Sequence, residues 1–197
     1  MKLFSRMGAS AIGAAAVLLF VGTLTYATLY QPQGEVAQPA GATTTPPQLA
    51  PERLLIPTLG LDVHVQEAGL LANNRMAAPT NFVDVAWYKY GPAPGEIGSA
   101  VIAGHLDNGL GLSGVFKDLS KLVPGDTIDI QNASGDTMRF TVERLEMYAY
   151  DKVPGTLFTA RDTARLNLIT CAGRWVNVPG LGWTVDKRLV VYATLQS

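Results

Sequence analysis

The chain has 197 residues, 48% of them hydrophobic and 16% charged, with a formal net charge of −1. That length accommodates one ordinary domain plus a short additional segment. Near-neutral charge without any Lys/Arg run or basic stripe argues against nucleic acid as a partner.

The additional segment comes first. Lys2 and Arg6 precede residues 7–30, which are 24 positions without a charge and most apolar at Leu18, Leu19, Phe20 and Val21. A helix of that length crosses a hydrocarbon core, which needs about 20 apolar residues. Basic residues before the run and none directly after it place the N-terminus in the cytoplasm and the remainder outside the cell. Residues 1–30 are therefore expected to be a single-pass N-terminal membrane anchor. The competing reading is a cleaved signal peptide with Thr25-Tyr26-Ala27 near its cleavage site. Both readings export the rest of the chain.

Residues 31–51 have linker composition, with Pro32, Pro39, Pro46, Pro47 and Pro51, three consecutive threonines and Glu35 as the one charge. Such a segment buries no core and is expected to act as a semi-extended tether. Residues 52–197 then form the exported domain, with 13 basic and 15 acidic residues.

Within the domain, short extended runs alternate with Gly, Pro, Asn and Asp. Residues 53–56 precede Pro57, and residues 61–65 alternate with period two. Residues 79–88 are ambiguous and are read with one helical turn before Trp87. Residues 99–105 form a buried strand of small and β-branched residues. Residues 114–122 are expected to form a short helix with Val115, Phe116, Leu119 and Leu122 on one side. After the Pro124-Gly125-Asp126 turn, residues 127–130 and 139–143 alternate around Ser134-Gly135-Asp136 and predict a hairpin. Residues 148–164 read as a long loop with one turn near 157–160. The last strands are 166–171, expected to stop at Cys171 because Ala172-Gly173 break the pattern, and 189–195. Seven or eight short strands with little helix predict a mainly β domain, either a sandwich or a closed barrel.

Chemistry is constrained by scarcity. Cys171 is the sole cysteine and cannot form an internal disulfide, although the domain is expected outside the cell. A catalytic thiol is one reason for such a residue, and a small buried hydrophobe is the other. Of the two histidines, His64 falls on the polar face of an alternating strand and reads as solvent-facing. His105 ends the run Ala100-Val101-Ile102-Ala103-Gly104 at a strand–loop junction, where a structural histidine and a catalytic one are both consistent with the sequence. A cysteine nucleophile needs its thiolate, which an imidazole can help to form, and acyl transfer needs a donor for the developing oxyanion. Arg188, opening the final apolar run, and Arg174, just behind Cys171, both suit that donor role. One cysteine and two histidines lack the spacing of a metal site, so no metal and no cofactor are expected.

These residues resemble the sortases, cysteine transpeptidases that attach proteins to the cell wall of Gram-positive bacteria. Leu168-Ile169-Thr170-Cys171 resembles the sortase strand that ends in Thr-Leu-Xaa-Thr-Cys. Val101-Ile102-Ala103-Gly104-His105 is similar to the strand that delivers the sortase histidine, and Arg188-Leu189-Val190-Val191-Tyr192-Ala193 to the strand of the sortase arginine. The order His, Cys, Arg with gaps of 66 and 17 residues fits as well. Class F is the most similar class, through Trp87-Tyr88, Gly91-Pro92-Xaa-Pro94-Gly95, His105-Leu106-Asp107 and Gly114-Val115-Phe116-Lys117-Asp118-Leu119. The chain departs from that class at Ala172-Gly173-Arg174-Trp175-Val176 and at Asp186-Lys187.

The resemblance implies a closed eight-stranded β-barrel. It also implies cleavage of a Leu-Pro-Xaa-Thr-Gly (LPXTG) type sorting signal between Thr and Gly on surface proteins, with transfer to a peptidoglycan precursor amine. Cys171 would be the nucleophile, His105 the acid and base, and Arg188 the oxyanion donor. Thr170 and Asp107 would support them, and Val153, Pro154, Leu157 and Ile169 would contact the signal. An L,D-transpeptidase would show a Ser-His-Gly-Cys type run, and a papain-like hydrolase would place cysteine before histidine. Neither is present. The non-enzymatic alternative is an exported β-barrel binding module with a buried structural cysteine.

Overall fold

The computed structural model describes residues 34, 38–39, 45, 49–107, 112–159, 162–180 and 182–196. The expected anchor at 1–30 and most of the linker lie outside the described residues, among which no helix is long and apolar enough to cross a membrane. All elements below fall in the unit Glu35–Ser197.

The strands are β1 (Pro51–Ile56), β2 (Leu61–Ala68), β3 (Val85–Tyr88), β4 (Gly98–Gly104), β5 (Thr127–Asn132), β6 (Thr137–Ala149), β7 (Ala164–Val178) and β8 (Gly182–Leu195). One helical turn, α1 (Thr156–Thr159), connects β6 to β7. The eight strands close into a barrel in the order β1-β2-β3-β4-β7-β8-β6-β5. The β2/β3 and β4/β7 pairs are parallel and the others antiparallel. Of the two architectures that the strand pattern allowed, the closed one holds, and closure leaves no unpaired sheet edge.

Alternation along the strands fills the interior. Ile102 of β4, Ile128 and Ile130 of β5, Phe140 of β6, Leu166 and Leu168 of β7 and Val191 of β8 are fully buried. Trp87, Phe116 and Phe140 are the bulkiest core residues, and the Trp87 indole N–H donates to the Pro92 carbonyl at 3.1 Å. Burying one side chain of that class contributes about 1.5–3 kcal/mol. The opposite face of β4, β7 and β8 carries a second apolar cluster of Val101, Val190 and Tyr192, covered by Leu157 of α1.

The predicted hairpin forms as β5–β6, its turn held by Asn132 Oδ1 accepting the Ser134 and Asp136 N–H groups. Three other expectations are corrected. First, no strand ends at Cys171: β7 runs on to Val178, and β8 begins at Gly182, so Arg188 stands inside its strand rather than opening it. Ala172-Gly173 mark a bulge. The register shifts between Ala172 and Trp175, and Gly173 has φ 93. The Arg174 N–H donates to Asp186 Oδ1 at 3.0 Å. A bulge inserts an unpaired residue and then lets pairing resume.

Second, residues 114–122 form no α-helix. Their bonds span three residues, from Lys117 N to Gly114 O through Leu122 N to Leu119 O, and only Leu119–Lys121 is regular 3-10 helix. Val115, Phe116, Leu119 and Leu122 are nevertheless all buried, since the tighter winding also gathers them inward. Third, residues 79–84 hold no helical turn, because Asn81 Oδ1 accepts the Val83 and Asp84 N–H groups and fixes a turn instead.

Candidate active site

Register alone brings the three expected residues together. Cys171 on β7 pairs directly with Arg188 on β8. On the other side of β7, the parallel ladder with β4 runs to Ala103↔Ile169, and the Thr170 hydroxyl donates to the Gly104 carbonyl at 2.8 Å. His105 is the next residue, so it leaves β4 level with Cys171. Because Leu168 and Leu189 face the core, Ile169, Cys171, Arg188 and Val190 face outward.

On that outer wall lies a groove of about 500 Å³, lined by Cys171, His105, Arg188 and Thr170 and by the apolar Ile169, Val153 and Phe158. Cys171 is partly exposed in it. The rival Arg174 side chain is 87% exposed with its Nε 3.7 Å from Asp186, and it does not line the groove. His64 is exposed and lies 3.8 Å from Asp84, in keeping with its polar strand face.

Each side chain is held. The His105 ring packs against Phe82 at 4.5 Å between centroids. Its Nε2 lies 3.0 Å from the Pro79 carbonyl oxygen. A carbonyl only accepts, so Nε2 carries the hydrogen and Nδ1 is the basic nitrogen. Arg188 is buried. Its Nη1 donates to the Val185 and Lys187 carbonyls at 2.8 and 2.7 Å, and its Nη2 to Thr184 Oγ1 at 3.3 Å. Asp107 pairs with Ser113 across the base of the loop that follows His105.

Burial dominates the ionisation of the reactive pair. It pushes the Cys171 thiol above its ordinary value; Arg188 and, less strongly, Arg75 pull it back, while Asp107 pushes with burial. Burial also lowers the His105 imidazole, against the Pro79 bond that raises it. Both shifts favour the neutral forms. With ordinary values of about 6.5 and 8.5, the thiolate–imidazolium form is about 1% of the protein at neutral pH, and shifts in these directions reduce it further. Alkylation of Cys171 by iodoacetamide is therefore expected to keep rising through pH 8.5. The kcat/KM profile should be broad, its acid limb below about pH 6.5 and its alkaline limb above about 8.5. Full alkylation reactivity by pH 6 would contradict this ionisation.

The expected signal contacts divide. Val153 and Ile169 line the groove, whereas Pro154 and Leu157 do not. Leu157 is corrected from lining to packing: it is 1% exposed beneath α1, against Val101, Val190 and Tyr192. The Pro154 carbonyl instead accepts the Leu157 N–H at 3.0 Å and starts the helical turn. Sequence reasoning missed Phe158, Tyr150 and the wall from Leu70 to Pro79. Phe158 adjoins Leu157 and was within reach of a helical count, but residues 70–79 show no periodicity that announces a wall.

The loop after His105 closes tightly. Gly114 N–H donates to the Leu106 carbonyl at 2.8 Å, and a Cβ on Gly114 would stand 2.3 Å from the His105 carbonyl oxygen. Gly114→Ala must displace the His105 backbone. Peptide-cleavage kcat/KM is expected to fall by about 10²-fold, the order associated with misplacing a catalytic group by an ångström. Unchanged kinetics would mean that the loop yields instead.

A β-barrel with cysteine, histidine and arginine facing one groove defines a class of acyl-transferring cysteine enzymes. The sortase domain model matches residues 54–196, and the chain belongs to the sortase family, the cysteine transpeptidases. Among solved structures, the chain is similar to a Clostridium perfringens sortase D5 transpeptidase, with 20% identity over 75% of this chain and 79% of that one and a TM-score of 0.56. Sortase A from Corynebacterium diphtheriae is 15% identical over 96% and 86% of the two chains, with a TM-score of 0.58. Sortase C-1 from Actinomyces oris is 17% identical over 90% and 97%, with a TM-score of 0.57. At these identities the likeness is one of fold. No curated protein sequence matches the chain.

Proposed function

We propose that the protein is a membrane-anchored, class F-like sortase that cleaves an LPXTG-type signal between Thr and Gly. Cys171 attacks the threonine carbonyl while His105 accepts its proton. Arg188 donates to the oxyanion, and the tetrahedral adduct collapses as His105 protonates the leaving glycine amine. An incoming amine, deprotonated by His105, then attacks the thioester and releases the thiol. The observation that carries this reading is the direct Cys171–Arg188 register pair with His105 at the end of the adjoining strand.

Thr170 ties the end of β4 to β7 through its bond to Gly104 and so sets the His–Cys spacing. Val153, Phe158 and Ile169 supply apolar surface for the Leu-Pro end of the signal. Residues 1–30 hold the chain in the membrane with the N-terminus inside and the catalytic domain outside. The donors are surface proteins with a C-terminal signal, the acceptor is a peptidoglycan precursor amine, and housekeeping anchoring is favoured over pilus assembly. The test is incubation with fluorogenic Leu-Pro-Xaa-Thr-Gly peptides, with and without an added amine. Cleavage between Thr and Gly with amine-dependent ligation supports the reading, and no cleavage across several such signals removes it.

A further inference from the structure

Of the cationic side chains lining the groove, Arg75 is the one that the proposed reaction does not use. It lies in the connection from β2 to β3, where Leu70 and Met76 pair and Asn74 adopts φ 58. The Asn73 side chain accepts the Arg75 N–H at 3.1 Å and fixes the backbone there. The residue is exposed, and its guanidinium forms no ion pair with any described residue. Among the described residues, Arg75 and Arg188 line the groove and no carboxylate does, although the Asp107 charge also reaches Cys171.

Position narrows what would complement Arg75. Met76, next to Arg75, packs against the same cluster of Val101, Leu157, Val190 and Tyr192 that Val153 and Phe158 pack against. The Arg75 charge also acts on the Cys171 sulfur, though less than burial, Arg188 and Asp107 do. Arg75 thus shares one groove with the surface suited to Leu-Pro and with the nucleophile that meets the threonine carbonyl. In a Leu-Pro-Xaa-Thr-Gly signal, the residue between those two points is the variable one.

We propose that Arg75 binds a carboxylate on that variable residue, so that the groove selects signals with Asp or Glu between Pro and Thr. The inference rests on the sorting-signal reading above. Its test compares kcat/KM for three fluorogenic peptides with Glu, Gln or Lys at the variable position, using the wild type, Arg75→Gln and Arg75→Glu. The wild type is expected to prefer Glu over Gln by about 1.5- to fivefold at low salt, the size of an exposed charge pair, and less at high salt. Arg75→Gln should bring the ratio near one, and Arg75→Glu should turn the preference toward Lys. A second arm compares glycine with glycinamide as acceptor, and there Arg75→Gln should leave the preference unchanged. Equal cleavage of the Glu and Gln peptides by the wild type, or a ratio that survives Arg75→Gln, overturns the inference and leaves the sorting-signal reading standing. A change confined to the glycine–glycinamide ratio also overturns it, because Arg75 would then serve the acceptor. Cleavage of none of the three peptides removes the sorting-signal reading itself and this inference with it.

Discussion

Cys171→Ala is expected to abolish peptide cleavage, lowering kcat by an order of 10⁴–10⁶-fold, as loss of a nucleophile does in acyl-transfer enzymes. Stability should hardly change. The side chain is partly exposed, lines the groove and lies outside both the barrel core and the cluster under α1. Alanine fits the same strand position without strain, so the thermal midpoint should stay within a few degrees of the wild type. The thioacyl intermediate gives a second readout. Intact-mass measurement of the wild type with peptide and no added amine should show a fraction of chains heavier by the acyl group, and the variant should show none. Cleavage that survives Cys171→Ala would place the nucleophile elsewhere.

Arg188→Lys should be nearly as damaging as Arg188→Ala, each costing about 10²–10³-fold in kcat, the usual effect of losing one oxyanion donor. A lysine keeps the charge but not the fork. Nη1 bridges the Val185 and Lys187 carbonyls while Nη2 reaches Thr184, and a single ammonium cannot hold those bonds and present a further donor to the groove. Arg188→Ala additionally takes the guanidinium donor from the buried Val185 carbonyl, at about 1–3 kcal/mol for a buried unsatisfied group. Its signature is therefore double, with slower cleavage and a lower unfolding temperature. Thr184→Val removes only the 3.3 Å contact and should change kcat little. Full activity in Arg188→Lys would indicate that charge, and not the planar fork, stabilises the oxyanion.

What the sequence made legible were features repeated along the chain or pinned by rarity. Period-two alternation marked 61–65 and the 127–143 hairpin because one face of each strand meets the core. One cysteine and two histidines left few pairings to consider, and Ala103↔Ile169 with Cys171↔Arg188 brings those positions together. What stayed hidden depends on partners distant in sequence. Ala172-Gly173 read as a stop because a bulge and a strand end share the same small residues. Only the Asp186 carboxylate across the ladder distinguishes them. Leu157 and Phe158 are adjacent apolar residues of one helical turn, and the presence of β4 and β8 beneath it decides which is buried. The wall carrying Arg75 has no periodicity, since irregular backbone held by Asn73 imposes none.

The parallel β4–β7 pair has a consequence for folding. Histidine and cysteine meet across the Gly104–Thr170 contact, whose residues are 66 apart in sequence, and no local hairpin preforms that juxtaposition. Closing so long a loop is entropically costly, and pairings of this kind are slow to form. The nucleophile and its arginine, by contrast, share the β7–β8 hairpin and can be aligned early. Catalytic competence thus needs a long-range pairing as well as a local hairpin, and recovery of turnover after refolding is a clock for that long-range step.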